Sequence, residues 1–192
     1  MPAITLPLCV RTDVDDMSSR NCLLKDGWRE IERLEVWWRK AGAMEQLYDG
    51  VVEMASADAK TTCLWIAATS FSHDRLHKDA KISNDVADRV KMNFVEEAFN
   101  SIEKSILVAK HEQHVAGFCI LLADETDCAI ELIAVHRKYR RQGIGRALIA
   151  AAANTYRDLT LVAGTQSTNE SGQALYMSCG FECIQTWRSF HK

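Results

Sequence analysis

What this sequence lacks narrows the field first. Proline occurs only twice in 192 residues, at Pro2 and Pro7, so no proline-rich linker divides the chain. No apolar run approaches the roughly 20 residues that span a bilayer. The opening MPAITLPLCVRTDVDD has no basic stretch followed by an apolar one. Neither a membrane helix nor a secretory signal is therefore expected. Positive charge is not in excess: 23 Lys and Arg against 26 Asp and Glu leave a formal net charge of -3, a poor basis for general nucleic-acid binding. Seven cysteines stand at 9, 22, 63, 119, 128, 179 and 183, with no C-x-x-C pair. That odd, scattered set supports neither a disulfide framework nor a zinc knuckle, and it fits a reducing cytoplasm. What remains, 47% hydrophobic and 26% charged residues, is the profile of an ordinary globular protein with one core or two small subdomains.

The first half gives mixed signals. Residues 4–12 are expected as a strand. Residues 28–41 are expected as a helix, because Ile31, Leu34 and Trp38 recur at three- and four-residue steps. The apolar run at 63–70, CLWIAATS, is expected as a strand. A helix over 85–103 follows from the stripe Val86, Val90, Phe94, Val95, Ala98 and Ile102. The second half is more regular. Strands at 105–110 and 115–123 flank a turn at Glu112-Gln113, and a third strand at 129–135 is nearly all apolar and hence central. A helix then runs to about Tyr156, followed by a strand at 159–164 and a helix at 169–179 that Gly180 ends. The last strand lies at 181–189. The order β-β-β-α-β-α-β predicts a mixed α/β sheet with helices packed on it.

The junction after the third strand carries the chemistry. Gly143 and Gly145 allow close backbone approach, and the helix they open has first-turn N–H groups without intrahelical acceptors. Arg137, Lys138, Arg140, Arg141 and Arg146 crowd the same stretch. They form either a solvated basic face or, given the turn, a phosphate site. No lysine follows as a Walker loop requires, and the third glycine and later acidic residue of a dinucleotide fingerprint are missing.

The run Arg140-Arg141-Gln142-Gly143-Ile144-Gly145 resembles the acyl-CoA motif [R/Q]-x-x-G-x-[G/A] of GNAT acetyltransferases. Asn169 to Tyr176, followed by Cys179-Gly180-Phe181, looks like that family's second signature, with Gly172 where alanine is usual. The resemblance implies a GNAT fold, a mixed and mostly antiparallel sheet flanked by helices with splayed central strands. It also implies an acetyl-CoA core at 105–192, with residues 1–104 contributing the acceptor site. Acetyl-CoA would be held by Ile133, Ala134, Val135, Arg140, Arg141, Gln142, Gly143, Ile144, Gly145, Arg146, Asn169, Gly172 and Tyr176. The Val135 amide would be the oxyanion donor. Asn169 and Tyr176 are two helical turns apart and share a face, which turns Tyr176 to the cofactor groove. It is then either the acid for the departing thiolate or a packed aromatic. Glu131, read as lying on the face of Ile133 and Val135, is either the base or an exposed strand-end carboxylate.

A closer similarity, from about residue 63, is to acetyltransferases acting on nucleotide-linked amino sugars of the dTDP-fucosamine type, which serve surface polysaccharides such as lipopolysaccharide. It rests on Thr165-Gln166, Phe190-His191, Asn100-Ser101-Ile102, Val115 to Phe118, and Ser70 to Asp79. It points to Asp74, Arg75, His77 and Asp79 as acceptor-binding residues, against the alternative of a solvated loop. His73 and His77 at i, i+4 lack a third ligand, so no metal is expected. The implied partner is a small amine, with no nucleic acid and no membrane insertion; a homodimer is allowed. The alternatives are acetylation of protein N-termini, lysine or polyamines, or a non-catalytic CoA-binding module.

Overall fold

The computed structural model describes residues 6–192. Strand β1 is Cys9–Asp13; residues 4 and 5 of the strand expected over 4–12 lie outside the described residues. Helix α1 (Met17–Lys25), capped by Asp16, leads to β2 (Arg29–Arg39) and β3 (Val51–Met54). Helices α2 (Lys60–Ser70), α3 (Arg75–Lys78) and α4 (Asn84–Asn100) complete the first half. Then follow β4 (Lys104–His111), β5 (His114–Ala123), β6 (Asp127–Val135), α5 (Ile144–Thr155), β7 (Thr160–Gln166), α6 (Glu170–Ser178) and β8 (Glu182–His191). The expected β-β-β-α-β-α-β order of the second half is present.

All eight strands form one sheet, ordered β1-β8-β2-β7-β6-β5-β4-β3. Every pairing is antiparallel except β6 with β7. Helices α5 and α6 cover one face, over a core containing Ile130, Ile144, Leu148, Leu161 and Tyr176. Helices α2 and α4 cover the other, over Ile66, Val95, Phe118, Leu132 and Ala134. The β4–β5 hairpin closes through Glu112 and Gln113, both at positive φ, as a tight two-residue loop requires.

Two elements differ from expectation. Residues 29–39 are a strand, not a helix, paired with β7 on one edge and β8 on the other. Of its two register shifts with β8, the one at Glu30/Glu32 leaves Ile31 as an extra residue of β2, and the one at Val36/Trp37 leaves an extra residue in β8. The bulge at Ile31 disrupts the two-residue alternation, so the apolar spacing imitates a helix. Residues 60–70 are a helix, not a strand. Helix α2 packs on α4 and on the sheet and buries Cys63, Ile66 and Ala67. A short apolar run is ambiguous by periodicity alone, because burial on several sides removes the polar face that would reveal the period.

Candidate active site

β6 and β7 pair only from Asp127↔Thr160 to Ile130↔Ala163. Beyond that point β7 stays with β2 as far as Gln166, and residues 131–135 of β6 have a partner only on the β5 side. The strands part, and a cleft of about 840 Å³ opens between them. His136 N–H donates to Ala116 O of β5 at 2.8 Å. By strand alternation, Ile133 and Val135 turn their N–H and C=O groups the other way, into the cleft. Nε of Arg140 donates to Val135 O at 3.1 Å, which engages that carbonyl and leaves the Val135 amide facing the opening.

The cleft begins at the head of α5. Arg141 has φ 65 and Gly143 has φ 79, so the chain enters the helix through two left-handed residues. No side chain caps the α5 N-terminus. The first intrahelical bond is Ala147 N to Gly143 O, so the preceding amides are free to meet an anion. A Cβ on Gly143 would meet nothing within 4 Å, which marks open space at the turn. Gly145 has a different reason: a Cβ there would come within 3.0 Å of Leu175 Cδ2, so it lets α6 pack against α5. Arg140, Arg141, Ile144 and Arg146 line the cleft. Nη1 of Arg146 donates to Ser178 O at 2.6 Å, which ties its guanidinium to the end of α6. Gln142 instead borders a neighbouring depression with Tyr48, Asp49, Gly50, His111 and Glu112.

Asn169 caps α6 by accepting from Gly172 N, and donates to Thr165 Oγ1 at 2.9 Å. A Cβ on Gly172 would lie 2.5 Å from Asn169 Nδ2 and 2.7 Å from Thr165 Oγ1. The glycine is thus a steric requirement of this cap, rather than a loosening of the helix. Tyr176 lines the cleft while its ring is buried against Trp37 and Phe181, at centroid distances of 6.3 and 5.2 Å. Burial pushes its phenol up, with Cys119 and Cys179 adding to the effect, so the hydroxyl stays protonated. Its aromatic packing and its place on the groove are both real.

At the other end the lining comes from the α2/α4 face: Ser70, Phe71, Ser72, His73, Asp74 and Lys91. Glu131 belongs with this group, which corrects the face expected for it. Ile120 pairs with Leu132 but Leu121 pairs with Ile130, so Glu131 is the extra residue of a bulge. Its carboxylate meets Lys104, 2.7 Å away, whose ammonium lies over the Phe94 ring of α4.

Of the four residues expected to bind the acceptor, only Asp74 lines the cleft. The others do not join it, because hydrogen bonds hold them elsewhere. Asp79 is 1% exposed and takes two bonds from Arg29, at 2.6 and 2.8 Å, one from His191 Nδ1 at 2.7 Å and one from Lys81 N. Arg75 contacts His191 Nε2 at 3.0 Å. An arginine only donates, so Nε2 is the bare nitrogen and His191 is neutral, with its hydrogen on Nδ1. His77 lies between Asp74 and Asp88. Sequence reasoning missed Lys91, which lines the cleft, and Lys104, which pairs with the lining Glu131. Nothing in the local pattern marks them, since packing alone brings α4 to the cleft and Lys104 to Glu131. Among the described residues, no group of three or more His, Cys, Asp or Glu is arranged to hold a metal, and no helix is long and apolar enough to cross a membrane.

Comparison with known proteins agrees with this geometry. Residues 103–183 match the family model described as the acetyltransferase (GNAT) domain. Over 129 residues the chain is 28% identical to the spore coat polysaccharide biosynthesis protein SpsD of Bacillus subtilis (strain 168), a match covering 66% of this chain and 45% of that protein. The chain thus spans less than half the length of this curated relative. A conserved protein of unknown function from Staphylococcus epidermidis superposes with a TM-score of 0.73 at 14% identity, over 95% of this chain and 69% of that one. A GCN5-related N-acetyltransferase from Kribbella flavida gives 0.65 at 14% identity, over 97% and 68%. The fold, a mostly antiparallel α/β sheet flanked by helices, is shared with these structures.

Proposed function

With residues 103–183 forming a GNAT acetyltransferase domain, we propose that this chain transfers the acetyl group of acetyl-CoA to the primary amine of a nucleotide-linked amino sugar. The observation that carries the reading is a continuous cleft. It runs from the uncapped head of α5, along the unpaired edge of β6, past Tyr176, to a polar wall on the opposite face of the sheet.

GNAT enzymes use acetyl-CoA, and the first half of this cleft suits it. The free amides of residues 143–146, with Arg140 and Arg141 beside them, offer a cradle for a pyrophosphate. The N–H and C=O groups of Ile133, with the Val135 N–H, offer a strand edge to an extended amide-bearing arm. Acetyl-CoA supplies an activated thioester. The Val135 amide stabilises negative charge on the thioester oxygen as the amine adds. Tyr176, a phenol held protonated by burial, donates to the sulfur as the C–S bond breaks. Glu131, paired with Lys104 at 2.7 Å, receives the proton that the amine sheds.

The polar wall bears on the acceptor. Each lining carboxylate has its own lysine: Glu131 with Lys104 at 2.7 Å and Asp74 with Lys91 at 3.6 Å. A wall so balanced has little net charge to draw a polyamine and suits a hydroxylated acceptor that carries its own anion. The relationship to SpsD points the same way. The seven free thiols suit a reducing compartment, in keeping with a cytoplasmic enzyme.

The test is CoA release from acetyl-CoA with dTDP-fucosamine, spermidine, a lysine peptide and a peptide with a free N-terminus. The amino sugar should be turned over fastest; a preference for spermidine or a peptide refutes the acceptor assignment. Gly143→Asp should abolish the thermal stabilisation by acetyl-CoA, because a carboxylate would enter the pyrophosphate cradle. Unchanged stabilisation would refute the cofactor site.

A further inference from the structure

Behind the polar wall stands a histidine held between two carboxylates. His77 Nδ1 lies 2.6 Å from Asp74 Oδ2, and His77 Nε2 lies 3.0 Å from Asp88 Oδ1. Ionised carboxylates accept hydrogen bonds and do not donate them. Both contacts are therefore hydrogen bonds only when both ring nitrogens carry hydrogen, that is, when His77 is an imidazolium. The side chain of His77 is 5% exposed, so the pair of contacts is shielded from water. Asp74 is fixed twice over, since its Oδ1 also accepts from Leu76 N at 3.0 Å and caps α3. Lys91 stands 3.6 Å from the same Oδ2, at the edge of ion-pair range and over the Phe71 ring. Ser70, on the same wall, has a buried hydroxyl with no hydrogen-bond partner among the described residues.

We propose that Asp74 is the specificity-determining residue that recognises the acceptor's amine in its ammonium form, and that His77, clamped by Asp88, is the positioning residue that holds Asp74 in place. This rests on the acetyltransferase reading of the cleft, and it assigns recognition to Asp74 separately from proton removal at Glu131. Asp74 lines the cleft, is held at a fixed angle, and has a cationic neighbour loose enough to be displaced by an incoming ammonium. Burial presses its carboxyl upward, but Lys91, His77 and the Leu76 amide outweigh that and hold it below the usual carboxylate range, so the anchor is charged throughout neutral pH. The charged groups that face the pair are Arg75 on α3, Asp88 and Lys91 on α4, and Glu32 on β2.

The probe is whichever of dTDP-fucosamine, spermidine and the two peptides wild type acetylates fastest. At a temperature where the variant is folded, Asp74→Asn, which keeps the α3 cap, should raise KM for that amine roughly ten- to hundredfold while the KM for acetyl-CoA stays near wild type. His77→Gln should also raise KM for the amine. Its kcat and its KM for acetyl-CoA should stay near wild type, and Asp88→Asn should raise the KM for the amine in the same way. An unchanged KM for the amine in Asp74→Asn, or a His77→Gln variant that lowers kcat without raising that KM, overturns the proposal. If spermidine or a peptide proves the best probe, the sugar assignment fails while the Asp74 result still stands or falls on its own. If wild type acetylates none of the four, both fail.

Discussion

Asp79 offers the sharpest separation of a structural role from a substrate-binding one. Asp79→Asn removes one charge and changes no shape. In the native protein this carboxylate joins the chain just after α3 to the first residue of β2 through Arg29, and to the end of β8 through His191. An asparagine keeps one acceptor oxygen, but its NH₂ group then faces a second donor and leaves a charge uncompensated. Breaking a buried pair in this way costs about 3–5 kcal/mol. Arg29 keeps 32% of its side-chain surface in water, which favours the lower end. At roughly 2–4 °C per kcal/mol for a chain of this size, the melting temperature should fall by about 6–12 °C. The pH dependence follows from the same contacts. The Arg29 guanidinium, against the opposing effect of burial and aided by His191 and the Lys81 amide, holds the Asp79 carboxyl well below the usual range. A group depressed in the folded state contributes stability that is complete above its unfolded value and is lost as pH falls through its folded value. Thermal melts followed by circular dichroism should therefore show a constant gap between wild type and variant above about pH 5, closing below about pH 4. At a temperature where the variant is folded, its acetyl-CoA affinity and its KM for the amine should be unchanged. A melting temperature within 2 °C of wild type, or a gap that does not close in acid, refutes the reasoning.

The remaining predictions concern the cleft. Tyr176→Phe should lower kcat by roughly 10²-fold with little change in acetyl-CoA affinity or stability, since the ring packing against Trp37 and Phe181 survives; full activity in steady-state assays would show that another group protonates the thiolate. Glu131→Gln should depress kcat most at low pH, where the amine most needs a base, and an unchanged acidic limb in the pH–rate profile would remove Glu131 from the mechanism. Gly172→Ala should give none of the stabilisation of about 1 kcal/mol that alanine normally brings to a helix interior, because its Cβ must displace the Asn169 cap; a higher melting temperature would contradict that account.

Local chemistry was legible in the sequence wherever neighbours along the chain decide the outcome. The Glu112-Gln113 turn, the α5 head at Gly143 and the α6 stop at Gly180 depend on backbone conformation within a few residues, and all three stand as read. The apolar β4–β5–β6 run also read correctly, because each strand is covered evenly on its faces. Tertiary structure decided the rest. The strand at 29–39 exists because β7 and β8 supply partners from 120 or more residues away, and its bulge at Ile31 breaks the alternation that would have announced it. The bulge in β6 turned Glu131 to the face covered by α2 and α4, and no pattern in a single strand reveals where its neighbour will slip. The polar block at 70–79 was visible as a concentration of charge, but charge alone does not say whether a side chain will face a ligand or another part of the protein. Arg29 and His191, far apart in sequence, settled that for Asp79 and Arg75, and Asp88 settled it for His77. Only Asp74 was left with one side toward the open cleft. A sequence records which groups can form ion pairs, and only the packed chain decides which pairs are satisfied internally and which group is left facing a ligand.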